Sequence, residues 1–414
     1  MKTPTHDKAM QSASSALNAI QQADPSIHAW SYLDVELALS NARIADEKHC
    51  DKELYGVAVA VKDIFDTVDM PTCYGSPIYR DHRPAKDASV VTRLRESGAI
   101  VLGKTATTEF ASSFPSPTRN PRNTLHSPGG SSSGSAAAVA SGMVAVALGT
   151  QTLGSIIRPA SYCGVVGFKP SYGRISRLGV MSLSETLDTV GVIGRSIDDI
   201  EPVYRCLAGD RTERPAFPKG APRIAFCQAP GWKLATAWAK SALAIFLKKL
   251  KDRGIAVDEL HLPDQFSELP TAGMCIHDFE VRRNFAWEHV RHPGELSPNF
   301  REILERGARV ALGDYEGAIR FSEECRARFA GVLSKFDMLI TLSATDEAPE
   351  GQNTTGSPAL NTAWTLLRGP CVSLPMLKGA KGLPIGVQLV GTQFSDSTLL
   401  SAARWLEALG MHED

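Results

Sequence analysis

The chain predicts an α/β fold, with a central mixed β-sheet flanked by helices on both faces and a helical cover. Three observations carry this prediction. Short β-branched runs alternate with segments of helical period through the first half of the sequence. The strand pattern returns late, at 337–341, 371–375 and 386–390. Between these halves, about 267–336 reads as mainly helical, and no internal repeat sets it apart as an array. Residues 1–414 are therefore expected to form one domain, with 267–336 as a more variable helical insertion covering the core.

The elements follow in order. Ala9, Ala13, Ala16, Leu17 and Ile20 recur at helical spacing over 5–22, and Asp24-Pro25 is expected to stop that helix. A second helix is predicted over 34–47. The run Val57-Ala58-Val59-Ala60-Val61 then reads as a buried strand that delivers Lys62 at its end. Such a lysine has two fates: an ion-pair partner of a nearby acid, or a desolvated amine whose pKa falls until it acts as a base. A helix over 89–96 and a strand over 99–103 form a local αβ unit, and the Pro-rich segment 110–126 reads as a loop. Strand 189–193 and helix 197–207 continue the alternation. The charged, Pro-rich stretch 209–222 is the best linker candidate; strands at 223–227 and 255–260 follow, around a helix at 235–252. A helix over 398–409 closes the chain.

Composition sets the class. The 414 residues are 43% hydrophobic and 21% charged, as in an ordinary globular protein, and the formal net charge is −1. Near-neutrality removes the electrostatic argument for nucleic acid or anionic membrane as a partner. Residues 1–22 contain no continuous apolar run of the signal-peptide kind, and 136–148 is too short to span a bilayer, so a cytoplasmic location is expected. Eight scattered cysteines form no C-x-x-C pattern and indicate neither a zinc site nor a disulfide scaffold. Cys275 and His277, on one predicted helix, read as core packing.

The functional signal lies in Gly129–Gly173, where two turns of glycine and serine flank an apolar segment. Such turns present hydroxyls and backbone N–H groups at one place. A flexible linker or a simple helix cap would not be followed by so long an apolar segment and then by Cys163-Gly164-Val165-Val166-Gly167-Phe168. Gly130-Ser131-Ser132-Ser133-Gly134 matches the G-x-S-x-G elbow of serine hydrolases. An elbow needs a buried strand before it, however, and 120–128 is polar and broken by Pro121 and Pro128. No G-K-[ST] follows Gly134, and no strand–G-x-G-x-x-G–helix unit is present, so phosphate and dinucleotide binding are also unsupported.

Gly129-Gly130-Ser131-Ser132-Ser133-Gly134-Ser135, then Gly149-Thr150, Gly154-Ser155 and Cys163 to Pro170, resemble the signature of the amidase signature family. The resemblance runs from the strand bearing Lys62 to Gly391 and is weakest between about 209 and 335. It implies the amidase signature fold and a Ser-Ser-Lys triad: Ser155 the nucleophile that forms an acyl-enzyme, Ser131 a bridging serine after a cis peptide bond, Lys62 the base. It further implies an oxyanion hole from the backbone N–H groups of Thr152, Leu153, Gly154 and Ser155, each donor supplying about 2.7–4 kcal/mol. No cofactor or metal is implied. A serine hydroxyl is a poor nucleophile until a neighbour takes its proton, which a lysine desolvated below its usual ~10.4 can do through Ser131.

The departures are informative. Many relatives carry aspartate where Gln151 stands, glycine at Leu153, and arginine two positions after the nucleophile, where this chain has Ile157. Here the arginine is displaced to Arg158 while Pro159 keeps its register. Arg158 either grips a substrate carboxylate in bidentate fashion or pairs with a distant acid. Within the family this looks most like malonamidase, which cleaves the amide of malonamate. Substrate contacts are expected from Arg158, Gly129, Gly130, Phe65, Phe110 and Trp364. The expected partner is a small-molecule amide, with neither nucleic acid nor membrane, and a homodimer is left open. The resemblance also admits two other functions: the glutaminase-type component of a tRNA-dependent amidotransferase, and a binding protein that has lost catalysis.

Overall fold

The computed structural model describes residues 7–212 and 221–411. Most of the predicted 209–222 linker, residues 213–220, lies outside the described residues. Among the described residues, eleven strands form one sheet: β1 Trp30–Leu33, β2 Ala58–Lys62, β3 Ile100–Thr105, β4 Val146–Gln151, β5 Val166–Lys169, β6 Thr189–Gly194, β7 Ile224–Cys227, β8 Val257–Leu260, β9 Met338–Leu342, β10 Cys371–Lys378 and β11 Pro384–Val390. Their spatial order is β1-β3-β2-β4-β6-β5-β10-β11-β9-β7-β8. The sheet is mixed: β2 runs parallel to β3 and β4, whereas β4 and β6, β6 and β5, β5 and β10, and β10 and β11 pair antiparallel.

Strand side chains alternate between two cores. Val59 and Val61 of β2 and Val101 of β3 face one side. Ala58 and Ala60, with Ile100 and Leu102, face the other. A central strand covered on both faces must be apolar at every position, which is why β2 reads as a continuous run. The helices Lys8–Ile27, Val35–Lys48 and Ser133–Ala140 cover the alanine-rich face, and small residues let them approach the sheet closely. The helices Ser89–Glu96, Ile197–Ala208, Ala237–Asp252 and Asp396–Ala408 cover the other.

One boundary differs from expectation. The first helix runs through Asp24-Pro25 to Ile27, with Pro25 inside its last turn and His28 capping in the left-handed region. Proline forfeits its own helical N–H bond and its ring crowds the carbonyl four residues back, but in the last turn no further turns depend on that bond. The segment after 267 forms the helices Leu269–Asn284, Ala286–Arg291, Pro298–Gly307 and Leu312–Val332. The first and third of these roof the site described next.

Candidate active site

The site is assembled at the ends of β2 and β4. Lys62 is the last residue of β2, on the alanine face, and its side chain is fully buried. Its Nζ lies 2.7 Å from Ser131 Oγ and 2.8 Å from Thr150 Oγ1. Burial pushes its pKa well below 10.5, and the Asp188 carboxylate acts in the opposite sense. A neutral amine keeps one lone pair, so the Ser131 hydroxyl can donate to Nζ across that same short distance.

Ser131 follows a cis Gly130–Ser131 peptide bond. Its carbonyl accepts from the Thr107 hydroxyl at 3.2 Å. Gly129, at φ +80°, leaves no room for a side chain, since a Cβ there would meet Pro159 Cα at 2.9 Å. The elbow alternative fails on geometry. Ser132 is fully buried, and its hydroxyl donates to Thr150 O at 3.2 Å while accepting from Thr150 N at 3.3 Å.

Residues 152–155 link β4 to the helix Ile157–Cys163. Among the described residues, none of the N–H groups of Thr152, Leu153, Gly154 and Ser155 donates to another protein group. Gly154 is required by close approach: a Cβ there would meet Asn361 Oδ1 at 2.6 Å. Gln151 holds the loop at both ends. Its Oε1 accepts from Ile156 N at 3.0 Å and Ile157 N at 3.1 Å, and its Nε2 donates to Thr365 Oγ1 at 3.1 Å. The Thr365 hydroxyl donates in turn to Leu153 O at 3.2 Å. These three hydrogen bonds of Gln151 make an uncharged clamp across the loop. Thr152 is tied separately, its hydroxyl donating to Asp188 Oδ1 at 2.7 Å, while Asp188 Oδ2 accepts from Leu183 N and Ser184 N.

Ser155 and Arg158 line one cavity of about 250 Å³ between the α/β body and the cover. Arg158 is 4% exposed. Its Nη2 donates to Gly130 O at 2.7 Å and to Thr355 Oγ1 at 3.4 Å, while its buried Nε and Nη1 have no partner. Among the described residues no carboxylate pairs with it. Burial pushes its pKa down to about 10, so the guanidinium stays charged at neutral pH.

The aromatic residues expected from the sequence to contact substrate lie elsewhere. Phe65, Phe110 and Trp364 are fully buried in the core, and none lines this cavity. Phe110 packs between Phe285 and Phe300, and Trp364 lies against Phe329. Instead, the cover contributes Met274, His277, Ile303 and Arg306, and the body Ser112 and Thr355. His277 is buried as expected, yet it lines the cavity and is more than packing. Thr150 and Asp188 are further additions to the site. Thr150 stands inside the Gly149-Thr150 motif, so a signal exists in the sequence; Asp188 reaches the loop only because β4 and β6 pair with Gln151 opposite Thr189.

The Amidase family's sequence pattern matches residues 11–400. A glutamyl-tRNA(Gln) amidotransferase component from Exiguobacterium sibiricum is 32% identical over 444 residues, covering 95% of this chain and 92% of its own. A crystal structure of an amidase superposes with a TM-score of 0.86 at 30% identity, covering 97% of this chain and 96% of that one. The native peptide amidase of Stenotrophomonas maltophilia gives 0.82 at 27% identity, covering 98% and 94%. Agreement of sequence and fold over nearly the whole length leaves one assignment: the chain belongs to the Amidase family and is a hydrolase of carbon–nitrogen amide bonds.

Proposed function

We propose that the protein hydrolyses the amide of a small acid bearing a second carboxylate, with malonamate as the leading candidate. Ser155 attacks the carbonyl, its proton passes through Ser131 to neutral Lys62, and the oxyanion is held by the free N–H groups of residues 152–155. The proton returns through Ser131 to the leaving nitrogen, which departs as ammonia or amine. Water then adds to the acyl-enzyme with the same base and releases the acid. For the catalytic part, the 2.7 Å contact of buried Lys62 with Ser131 is the supporting observation.

The substrate class rests on Arg158. A buried guanidinium with two unpartnered donors, in the cavity that holds Ser155, is an unmet demand for an anion. The test is ammonia release from malonamate, glutamine and neutral aliphatic and aryl amides, by wild type, Ser155→Ala and Arg158→Met. Loss of all turnover in Ser155→Ala, about 10⁴-fold or more, with malonamate preferred by wild type and that preference gone in Arg158→Met, is expected. A Ser155→Ala protein with wild-type turnover rules out the nucleophile; a wild type indifferent to the second carboxylate rules out the role of Arg158.

The second reading is a component of a tRNA-dependent amidotransferase, favoured by the identity to the Exiguobacterium sibiricum protein. Glutamine as the preferred amide, together with activity that depends on added partner proteins, is the result that supports it over the first.

A further inference from the structure

A second cavity, of about 310 Å³, lies against the one that holds Ser155 and Arg158, and the two share Ala111, Thr152 and Leu183. Its floor is apolar: Ala111, Leu183 and Val190 are at most 4% exposed. Val180 and Met181 are half-buried beside it, and Leu178 stands exposed on the solvent side.

The two cavities differ in what they leave unmet. In the first, two buried donors of Arg158 lack partners. In the second, each polar side chain has one. Asp188 accepts from the Thr152 and Ser182 hydroxyls at 2.7 and 3.1 Å, and from Leu183 N and Ser184 N at 2.9 and 3.1 Å. Glu185 Oε2 accepts from Arg283 Nη2 at 2.6 Å, while Arg177 donates to Glu185 O at 2.6 Å and to Tyr172 Oη at 3.0 Å. The Thr189 hydroxyl donates to Leu187 O at 3.3 Å, and Thr150 Oγ1 accepts from Lys62. A polar ligand must compete with these bonds, whereas an apolar group gains simply by leaving water.

Thr150 fixes which half of a substrate this space receives. On the mechanism above, the departing nitrogen takes its proton from Ser131, whose Oγ lies 2.7 Å from Lys62 Nζ. Thr150 Oγ1 lies 2.8 Å from the same Nζ and lines the second cavity. Ser155 and Arg158, proposed to hold the acyl carbon and its carboxylate, line the first. An acyl group stretched from Ser155 to Arg158 therefore directs its nitrogen toward Thr150. The NH₂ of a primary amide fills only ~30 Å³ there, about the volume of one water.

We propose that the second cavity receives an apolar substituent on the leaving nitrogen, so that the substrate class is the N-alkyl or N-aryl half-amide of a short dicarboxylic acid. This deepens the reading of Ser155 and Arg158 above and rests on it. Ser155 Oγ bonds to the carbonyl carbon and the C–N bond breaks. The serine's proton reaches the nitrogen through Lys62 and Ser131, and the neutral amine leaves by the second cavity. Water then takes the acyl group as the dicarboxylic acid and restores the serine.

The test is kcat/KM for N-methylmalonamate, N-butylmalonamate and N-(3-aminopropyl)malonamate. All three pass through the same malonyl-enzyme, so a difference belongs to acylation, while the nitrogen's substituent is still bound. Each further CH₂ that is buried is worth up to about fourfold, so the butyl amide is expected to exceed the methyl amide by about tenfold or more. The aminopropyl amide, of equal length, is expected to gain less than about threefold, since its ammonium must leave water. Met181→Gln and, on the exposed rim where folding is not at stake, Leu178→Asn are each expected to lower the butyl-to-methyl ratio about threefold. The ratio is read within one protein, so lost stability does not move it. Equal rates for butyl and methyl, an advantage shared by aminopropyl, or a ratio unchanged in both variants overturns the inference. So does an advantage found instead with 2-butylmalonamate, which assigns the cavity to the acyl half. Malonamate turnover by wild type, and its loss of preference in Arg158→Met, report on the earlier reading alone. If they hold while the butyl amide gains nothing, only this inference falls; if malonamate and its N-alkyl derivatives are all inert, the earlier reading falls and takes this one with it.

Discussion

The α/β body and the helical cover contribute the two walls of one cavity, and they are built by different means. On the body side the polar groups are fully buried: Lys62 and Gln151 end their strands, Ser131 stands in the turn before the helix Ser133–Ala140, and none of the three has exposed surface. Their positions follow from apolar packing of the sheet and from backbone hydrogen bonds. The cover is fastened to the body by buried carboxylates. Glu280 accepts from the Ser184 and Thr186 hydroxyls and from Tyr315 Oη at 2.9 Å; Glu109 accepts from Ser297; Glu288 accepts from Tyr79 Oη at 2.5 Å. A wall fixed by a sheet suits reaction chemistry, which tolerates little displacement. A wall fixed by a few polar pins can change more readily, and that suits selection among substrates.

Lys62→Met breaks the body wall and carries the largest expected effect. On the proposed mechanism Lys62 is the base, and its loss is expected to lower kcat by about 10²–10⁴-fold. In wild type, kcat/KM is then expected to rise with pH as Lys62 loses its proton at its depressed pKa, and the variant's residual activity to lack that step. Wild-type stability depends on the same proton. The unfolded chain holds the lysine proton up to about pH 10.4, whereas the folded chain releases it lower. Wild-type stability therefore falls as pH drops from that value through the folded pKa, and it stays at the lower level below. Lys62→Met is expected to be more stable by about 1 kcal/mol at neutral pH, with the gain shrinking as pH approaches 10. Urea denaturation at several pH values reads this directly, and a variant less stable than wild type at pH 7 contradicts the burial argument.

The two walls also differ in how legible they were. The body's half could be read because local patterns carry it: a β-branched run ending in Lys62, serine-glycine turns, and an arginine one place out of register. The partners that arrive through sheet pairing could not. Asp188 lies 36 positions from Thr152 in sequence, and only the antiparallel β4–β6 register joins them. Aromatic residues misled for a related reason. Phe65 and Phe110 flank the motifs along the chain, but proximity in sequence does not say which way a side chain faces, and both point into the core. On the cover, His277 has a helical spacing that fits packing and lining equally. The sheet order likewise needed the structure, since β10 comes to lie beside β5 with the whole of the cover's sequence intervening.

Gln151 tests whether the 152–155 loop, proposed to hold the oxyanion, depends on its uncharged clamp. Gln151→Ala leaves the N–H groups of Ile156 and Ile157 buried without their acceptor, at about 1–3 kcal/mol for each buried group left unpaired. The loop then loses the span that joins its two ends, and kcat is expected to fall by roughly 10–100-fold with KM little changed. An unchanged kcat in a destabilised protein assigns Gln151 to folding alone.

Glu280→Gln, on the cover side, is the smallest change and the one that separates the walls. The carboxylate accepts from two hydroxyls, from Thr186 N and from Tyr315, and Ser184 belongs to the turn whose N–H groups hold Asp188. A carboxamide of the same shape keeps one acceptor oxygen and presents an NH₂ to groups that donate. It therefore forfeits about 1–2 kcal/mol of stability without opening a void. If the cover governs selection and the body governs chemistry, KM is expected to rise about threefold while kcat stays within about twofold, since loosening a pinned wall costs binding before it disturbs the reacting groups. Steady-state kinetics on the preferred amide give both numbers. A fall in kcat as large as that of Gln151→Ala means that the pin reaches Asp188 and Thr152, so that the two walls act as one.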